Sequence, residues 1–167
     1  MTRNLLKELN YPLAAPSANL SSKVSAVNSN DVRDDFGNRI KYILEGGKSS
    51  IGLESTIIDL RNKPKILRLG GLETSLIQKE LSKKISINNN PLKIASPGQF
   101  KLHYSPGIPI RKNKKKFKKD EAYLLINKKN KTNSNYYFLS KNGNLKEAAR
   151  NLYSILRKIK KNNYNSI

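Results

Sequence analysis

The amino-acid sequence predicts an α/β (α+β) fold, and two features of it carry this prediction. Apolar, strand-like runs adjoin small polar residues, first over residues 12–19 and again over residues 52–58. Further along, two short apolar runs precede a segment with apolar residues at helical spacing, centred near residue 152. Polar residues at the ends of buried strands lie at the open edge of a sheet, where α/β proteins commonly bind ligands. We therefore expect the two polar clusters to form one ligand site.

The first part of the chain predicts short helices and several strands. A leucine stripe at residues 5–9 favours a helix, and Asn30 is a suitable cap for a second helix that ends at Gly37. Residues 74–84 have apolar side chains at helical spacing with a charged opposite face. The strands are predicted at residues 12–16, 40–44, 54–60 and 65–69, the last two joined by a hairpin turn at 61–64.

The second part predicts strands followed by one long helix. Residues 144–147, Asn-Leu-Lys-Glu, have the spacing of a capping box, and the apolar face behind them is continuous to Ile159. A proline-containing stretch without periodicity precedes these elements and predicts a linker. The strands are predicted at residues 108–110, 122–126 and 136–139. The predicted units are a domain at 1–87, a linker or lid at 88–107, and a second domain at 108–167.

The chain is strongly basic, with 33 Lys and Arg against 12 Asp and Glu and a formal net charge of +21. Such an imbalance fits a nucleic-acid or anionic partner, and it fits equally a composition bias toward Lys, Asn and Ile. Cysteine is absent, which excludes disulfides and thiolate metal sites. No apolar run approaches the ~18 residues of a membrane span, and no signal-peptide pattern begins the chain. We therefore predict a cytoplasmic protein without membrane contact.

Four motifs, taken together and in this order, resemble the threonylcarbamoyl-AMP synthase (YrdC-like) family in its long form. They are residues 15–21 (APSANLS), 52–56 (GLEST), 67–70 (LRLG), and 96–98 (SPG) with 103–106 (HYSP). The resemblance implies the C-terminal part of a YrdC-like twisted mixed sheet with flanking helices. A linker and the start of a small Rossmann-like α/β domain follow. Relative to the long form, we expect the chain to be truncated at both ends and to lack an N-terminal half.

The resemblance also implies a reaction. L-Threonine and bicarbonate form a carbamate, ATP adenylates it, and pyrophosphate leaves. The product, threonylcarbamoyl-AMP, serves the threonylcarbamoyladenosine (t6A) modification of certain tRNAs. Mg²⁺ is the expected companion of ATP, and tRNA or the tRNA-modifying transferase complex is the expected partner.

Site residues are carried over from the family by position. The ATP-binding residues would be Ser17, Ser25, Arg68, Ser96 and Tyr104, and the threonine-binding residues would be Ala15 and Ser55. No residue is assigned a catalytic acid–base role, and no metal ligand is assigned. Chemistry of this kind depends chiefly on orientation and on neutralising phosphate charge, so few proton-transfer groups are needed.

Three neighbouring residues receive structural interpretations. We interpret Asn19 as a residue that fixes its turn and Glu54 as an ion-pair partner rather than a base. His103, the only histidine, is more often a packed imidazole than an acid or base at such a position.

The sequence departs from the family pattern at several positions. Ser22 and Leu69 replace a common Gly and a common Pro, Gln99 replaces a frequent Met, and Lys101 stands where Tyr is often found. The family's Lys-x-Arg segment, which completes the ATP site, is not found in this sequence. We therefore expect weaker ATP binding than in a complete enzyme.

Two alternatives remain open from the residues alone. The basic runs at 112–119 and 128–131 are compatible with an RNA-binding module, for which Tyr136 and Tyr137 would supply nearby aromatic rings. The chain is also compatible with a non-catalytic fragment, or with one subunit of a two-part enzyme.

Overall fold

A computed structural model of the protein describes residues 1–87, 94–100, 103–113, 118–128 and 133–167. Parts of the predicted linker (88–93 and 101–102, including Lys101) lie outside the described residues. The same holds for the middle of the first basic run (114–117) and for most of the second (129–132). These predictions, and the predicted domain boundaries, stay predictions.

The first sheet is mixed and has three strands in the order β1-β2-β3. Strands β1 (Ile57–Asp59) and β2 (Lys65–Arg68) are antiparallel, which confirms the predicted hairpin. Helix α1 (Thr74–Leu81) then crosses to β3 (Ser86–Ile87), which pairs with β2 in parallel. The buried side chains beneath this sheet are Ile66, Ile77 and Ile85. A small apolar core therefore fixes the end of β2.

Two α-helices, the second followed by a short 3-10 helix (Gly37–Arg39), precede the first sheet. Helix α2 (Ser29–Phe36) begins after Asn28, whose side chain accepts a hydrogen bond from the Asp31 amide at 3.0 Å. It ends at Gly37, as predicted, where φ is 52°. The predicted cap at Asn30 was wrong by two residues, because Asn28 supplies the same chemistry earlier in the chain. Helix α3 (Thr2–Lys7), at the beginning of the chain, buries no side chain.

Three predicted strands do not form among the described residues. Residues 12–16 and 40–44 belong to no ladder, and residues 12–18 are exposed. Pro12 and Pro16 lack the N–H donors that a ladder needs. Residues 108–110 also form no strand. There the Pro109 carbonyl accepts from the Ile167 amide at 2.8 Å, so this segment is tied to the last residue instead.

The second sheet has two parallel strands, β4 (Tyr123–Asn127) and β5 (Tyr136–Ser140). Helix α4 (Leu145–Lys161) packs against β5. The Asn144 side chain accepts from the Glu147 amide at 3.0 Å, which confirms half of the capping box. The other half is replaced, because the Glu147 carboxylate accepts from Ser140 Oγ at 2.6 Å, and that oxygen accepts from the Asn144 amide.

Helix α4 also packs against residues that precede the first sheet in the chain. Val24 and Val27 form one buried cluster with Tyr153 and Leu156 of α4. The backbone of α4 passes so close to Gly52 that an added Cβ there would lie 2.4 Å from the Arg150 carbonyl oxygen. The two sequence halves are therefore in direct contact next to the segment that carries Ser25.

No helix in the described part of the chain is both long enough and apolar enough to cross a membrane.

Candidate functional site

The Arg68 guanidinium, at the end of β2, is the centre of the candidate site. Its Nε donates to the Ser55 carbonyl and its Nη2 to Ser55 Oγ, both at 2.9 Å. Its Nη1 lies 2.9 Å from Tyr104 Oη. The Arg68 side chain is only 12% exposed. A planar guanidinium held on three sides presents a fixed geometry to an oxyanion.

Glu54 links this arginine to Ser25. The Ser25 hydroxyl, which is buried, donates to Glu54 Oε1. The other carboxylate oxygen lies 4.0 Å from Arg68 Nη1. Glu54 is therefore an ion-pair partner of Arg68, as the sequence suggested, and it also orients the Ser25 hydroxyl.

A close backbone approach places Glu54 and Ser55 beside β2. A Cβ added at Gly70 would lie 2.3 Å from the Glu54 carbonyl oxygen and 2.4 Å from the Thr56 nitrogen. The Gly71 amide donates to the same Glu54 carbonyl at 2.8 Å. Only glycine fits at position 70, so the sequence dictates this contact.

The loop formed by residues 95–99, which we call the Ser96 loop, lies against β2. The Gln99 side chain accepts from the Ala95 and Ser96 amides at 2.9 and 3.2 Å. It also donates to the Leu67 carbonyl at 3.1 Å. The Ser96 hydroxyl is buried and, within the part of the chain that the structure describes, has no hydrogen-bond partner. A buried hydroxyl without a partner is costly, so it marks a position where a ligand oxygen could bind.

Tyr104 connects the candidate site to α4. Its ring stacks on Tyr153 with a centroid distance of 6.0 Å and an interplanar angle of 22°. Burial raises the pKa of Tyr104, and the Glu54 charge adds to this while Arg68 opposes it. Because its pKa is raised, the Tyr104 phenol stays protonated well above neutral pH. The Tyr104 backbone has φ of 59°, which is uncommon for a non-glycine residue.

His103 packs edge-on against Tyr104, with ring centroids 4.2 Å apart. This contact agrees with the packed role that the sequence suggested.

Arg157 of α4 contacts the backbone around Ser25, a contact that no sequence pattern predicted. Its Nη2 lies 2.7 Å from the Val24 carbonyl and its Nε 3.3 Å from the Ser25 carbonyl. The same guanidinium pairs with both Asp35 carboxylate oxygens, at 3.0 and 2.6 Å. An arginine in an amphipathic helix ordinarily indicates a solvated face, so only the packing of α4 reveals this contact.

An open cavity of about 440 Å³ lies beside Ser55. Its lining includes Glu54, Ser55, Thr56, Gly71 and Leu72. The cavity lining is more apolar than polar, and Ser55 and Thr56 contribute hydroxyl groups to it, a combination that suits a small amphipathic ligand.

The structure brings most of the expected site residues together. Ser25, Ser55, Arg68 and Tyr104 form one connected cluster, and Ser96 lies in the loop that packs on β2.

Two of the expected site residues are not joined to this cluster. Ala15 and Ser17 lie on the exposed segment, and among the described residues neither side chain hydrogen-bonds to the cluster. Near them, the Asn19 side-chain Nδ2 donates to the Leu20 and Lys23 carbonyls, which agrees with a turn-fixing role.

The described residues contain no group of three or more His, Asp or Glu side chains that could hold a metal ion.

Two family models match the chain. A family model described as "Threonylcarbamoyl-AMP synthase, C-terminal domain" matches residues 65–167, more than half of the chain. The chain belongs to this family. A second model, Sua5/YciO/YrdC, described as "Telomere recombination", matches residues 1–70.

Curated relatives of this chain are named threonylcarbamoyl-AMP synthase. The chain is 38% identical over 104 residues to the Pyrococcus abyssi threonylcarbamoyl-AMP synthase, with 59% of this chain and 31% of that protein covered. It is 38% identical over 112 residues to the Bacillus subtilis protein of that name, with 64% and 32% covered. The chain therefore spans about a third of the length of these relatives.

Solved structures confirm the predicted fold. The crystal structure of P. abyssi Sua5 complexed with L-threonine is similar to this family member with a TM-score of 0.76 and 26% identity. The match covers 92% of this chain and 51% of that one. A variant of P. abyssi Sua5 with an adjacent His and Tyr replaced by Ala matches with a TM-score of 0.73 and 25% identity, over 92% of this chain and 50% of that one.

Proposed function

We propose that this chain contributes to an L-threonylcarbamoyladenylate synthase, a nucleotidyltransferase. It would make threonylcarbamoyl-AMP from L-threonine, bicarbonate and ATP, with release of pyrophosphate, for t6A modification of tRNA. The observation that carries this proposal is the Arg68 guanidinium held between Ser55 and Tyr104. These contacts join Ser55, a proposed threonine-binding residue, to Arg68 and Tyr104, two proposed nucleotide-binding residues. The names of the curated relatives support the same activity.

ATP would bind along the cluster that surrounds Arg68. The planar Arg68 guanidinium suits phosphate oxygens. Glu54 lies 4.0 Å from Arg68 Nη1, and moving this carboxylate away would leave more of the Arg68 charge available to phosphate. The Ser25 and Ser96 hydroxyls would donate to the nucleotide, and the buried, unpartnered Ser96 oxygen supports this role. Tyr104 would close over the bound phosphate.

Ser17 belongs to the same proposed set. Its exposed hydroxyl would contact the nucleotide from the segment at 12–18.

L-Threonine would bind in the cavity beside Ser55, with the Ala15 backbone as a further contact. The cavity is large enough for an amino acid, and its lining supplies hydroxyl and backbone groups. The similar P. abyssi structure contains L-threonine, which supports this choice of ligand.

The proposed reaction has two steps. The threonine amine attacks the bicarbonate carbon to form a carbamate, and water leaves. A carbamate oxygen then attacks the α-phosphorus of ATP, and pyrophosphate departs as the P–O bond to the β-phosphate breaks. In this scheme the chain orients the two reactants and offsets phosphate charge through Arg68.

Mg²⁺ would enter with the ATP phosphates. The described residues offer no carboxylate cluster for it, and the Glu54 carboxylate already accepts from Ser25. Mg²⁺ commonly keeps several waters and binds through substrate phosphates. The ion would therefore be held mainly by the ATP phosphates.

The proposed partners extend beyond the small substrates. The basic charge of +21 suits tRNA or the transferase complex that uses the product. The sequence match covers 31% of the P. abyssi relative and the structural match covers 51% of P. abyssi Sua5, so a further portion of the family fold, in the same or another polypeptide, is proposed to complete the ATP site. A cytoplasmic location follows from this role in tRNA modification.

The test is release of pyrophosphate from ATP that depends on both L-threonine and bicarbonate. The assay is run with this chain alone and with a separately produced N-terminal portion of the family fold. Release in either preparation supports the proposal, and release only in the mixture indicates a two-part enzyme. No release in both preparations, with folded proteins, would overturn it. RNA binding without pyrophosphate release would favour a basic binding module instead.

A further inference from the structure

Gln99 occupies a position that connects the Ser96 loop to the strand carrying Arg68. Its Oε1 accepts from the amides of Ala95 and Ser96, and its Nε2 donates to the Leu67 carbonyl. Leu67 directly precedes Arg68 and follows Ile66, which pairs with Ile87 of β3. One side chain thus joins the loop to the strand next to Arg68.

The same loop packs on the Arg68 side chain. Gly98 has φ of 97°, and a Cβ added there would lie 2.9 Å from Arg68 Cδ. This contact covers the aliphatic part of Arg68, while its guanidinium is bound by Ser55 and Tyr104. The Ser96 hydroxyl, buried in the same loop, has no partner among the described residues. Movement of the loop would therefore displace Ser96 and uncover Arg68 together.

We propose that Gln99 is a positioning residue that holds the Ser96 loop on β2 and thereby fixes Ser96 and Arg68 for the nucleotide. The inference rests on the proposed function and names a residue that it does not include. An unbranched apolar side chain of similar size, such as Met, could fill the space but could not make the two kinds of hydrogen bond. The polar contacts of Gln99 therefore hold the loop before any ligand binds.

Two variants separate the contacts of Gln99. Gln99→Met removes both the acceptor and the donor. Gln99→Glu keeps an acceptor for the Ala95 and Ser96 amides but loses the donor to the Leu67 carbonyl. It places a carboxylate oxygen against that carbonyl oxygen. Gln78→Met, on α1, is the matched control because Gln78 lies on a different element from the site.

Amide hydrogen exchange and the NMR signal of the Arg68 Nε–H report on the loop and the arginine directly. We expect Gln99→Met to speed exchange of the Ala95 and Ser96 amides at least about tenfold, since local opening removes their protection. Gln99→Glu should leave these two amides protected. Both variants should speed exchange of the Arg68 Nε–H, whereas the urea midpoint of unfolding stays at the wild-type value. Gln78→Met should change none of these signals.

Binding of ATP gives the functional measurement. We expect both Gln99 variants to raise the Kd for ATP about threefold to tenfold, in the preparation in which the wild-type chain binds. Unchanged Ala95, Ser96 and Arg68 signals in Gln99→Met would overturn the inference, as would a fall in the urea midpoint that accounts for the faster exchange. If the wild-type chain binds no ATP in either preparation while the NMR effects appear, the proposed function fails and the positioning role of Gln99 stands.

Discussion

Arg157 and Asp35 form a two-pronged ion pair that joins α4 to α2. Arg157 Nη1 and Nη2 lie 3.0 and 2.6 Å from the two Asp35 carboxylate oxygens, and both side chains are about 13–14% exposed. The same guanidinium donates to the Val24 and Ser25 carbonyls. The second half of the chain therefore helps to fix the backbone that carries a proposed nucleotide residue.

Replacing Arg157 should destabilise the fold. Arg157→Gln leaves the Asp35 carboxylate and the Val24 carbonyl without their cationic partner. We expect a loss of about 2–4 kcal/mol in the free energy of unfolding, somewhat below that of a fully buried pair. Urea denaturation measures the change. Lys161→Gln is the control, because its pair with Asp34 is exposed and should contribute about 0.5 kcal/mol or less. Equal effects of the two substitutions would contradict this role of Arg157.

The ion pair also predicts how stability depends on pH. Burial pushes the pKa of Asp35 upward, but the hydrogen bond and charge of Arg157, together with the Leu20 backbone and the Lys160 charge, outweigh it, so the pKa lies below its usual value. A carboxyl group of this kind stabilises the fold fully above its unfolded pKa of about 3.9 and loses that contribution as pH falls through its folded pKa. The stability gap between wild type and Asp35→Asn should therefore be largest near neutral pH and shrink below about pH 4. Denaturation of both proteins across this range measures the gap, and a gap that widens in acid would contradict the prediction.

Local sequence patterns predicted those parts of the fold whose causes are local. The hairpin through residues 61–64 and the cap at Asn144 depend on neighbouring residues, and both were confirmed. The strand predicted at 12–16 failed because a strand needs a partner with free donors and acceptors, which the pattern of one segment does not report.

In the candidate site, too, some residues were predicted from the sequence and others were not. The family resemblance indicated Ser25, Ser55, Arg68 and Tyr104 by position, and these residues do meet in space. Gln99 and Arg157 were not predicted, since each acts on backbone carbonyls that are distant in sequence. A side chain that binds a remote carbonyl leaves no periodic or spacing signal. Only the packing of the loop and of α4 reveals it.

Gly70→Ala should disturb the site through the backbone. The added Cβ would meet the Glu54 carbonyl and the Thr56 nitrogen well inside contact distance, so the segment that carries Ser55 must shift. We expect a loss of about 1–3 kcal/mol in the free energy of unfolding, as for overpacking, together with weaker L-threonine binding. Thermal unfolding and calorimetric titration with L-threonine measure the two effects. Gly46→Ala is the control, because nothing lies within 4 Å of an added Cβ there. If both alanine variants behave alike, the close approach at Gly70 does not constrain the site.

Arg68→Lys tests the requirement for a planar fork. Lysine keeps the positive charge but cannot contact Ser55 Oγ, the Ser55 carbonyl and Tyr104 at once. Loss of one charged hydrogen bond to phosphate costs about 1.5–3 kcal/mol, so the Kd for ATP should rise roughly tenfold to a hundredfold. Equilibrium binding of ATP measures this in the preparation that releases pyrophosphate. Arg61→Lys is the matched control, since Arg61 lies at the exposed hairpin turn and pairs with Asp59. An Arg68→Lys protein that binds ATP as tightly as the Arg61→Lys protein would show that charge alone suffices, and the geometry around Arg68 would then not determine nucleotide binding.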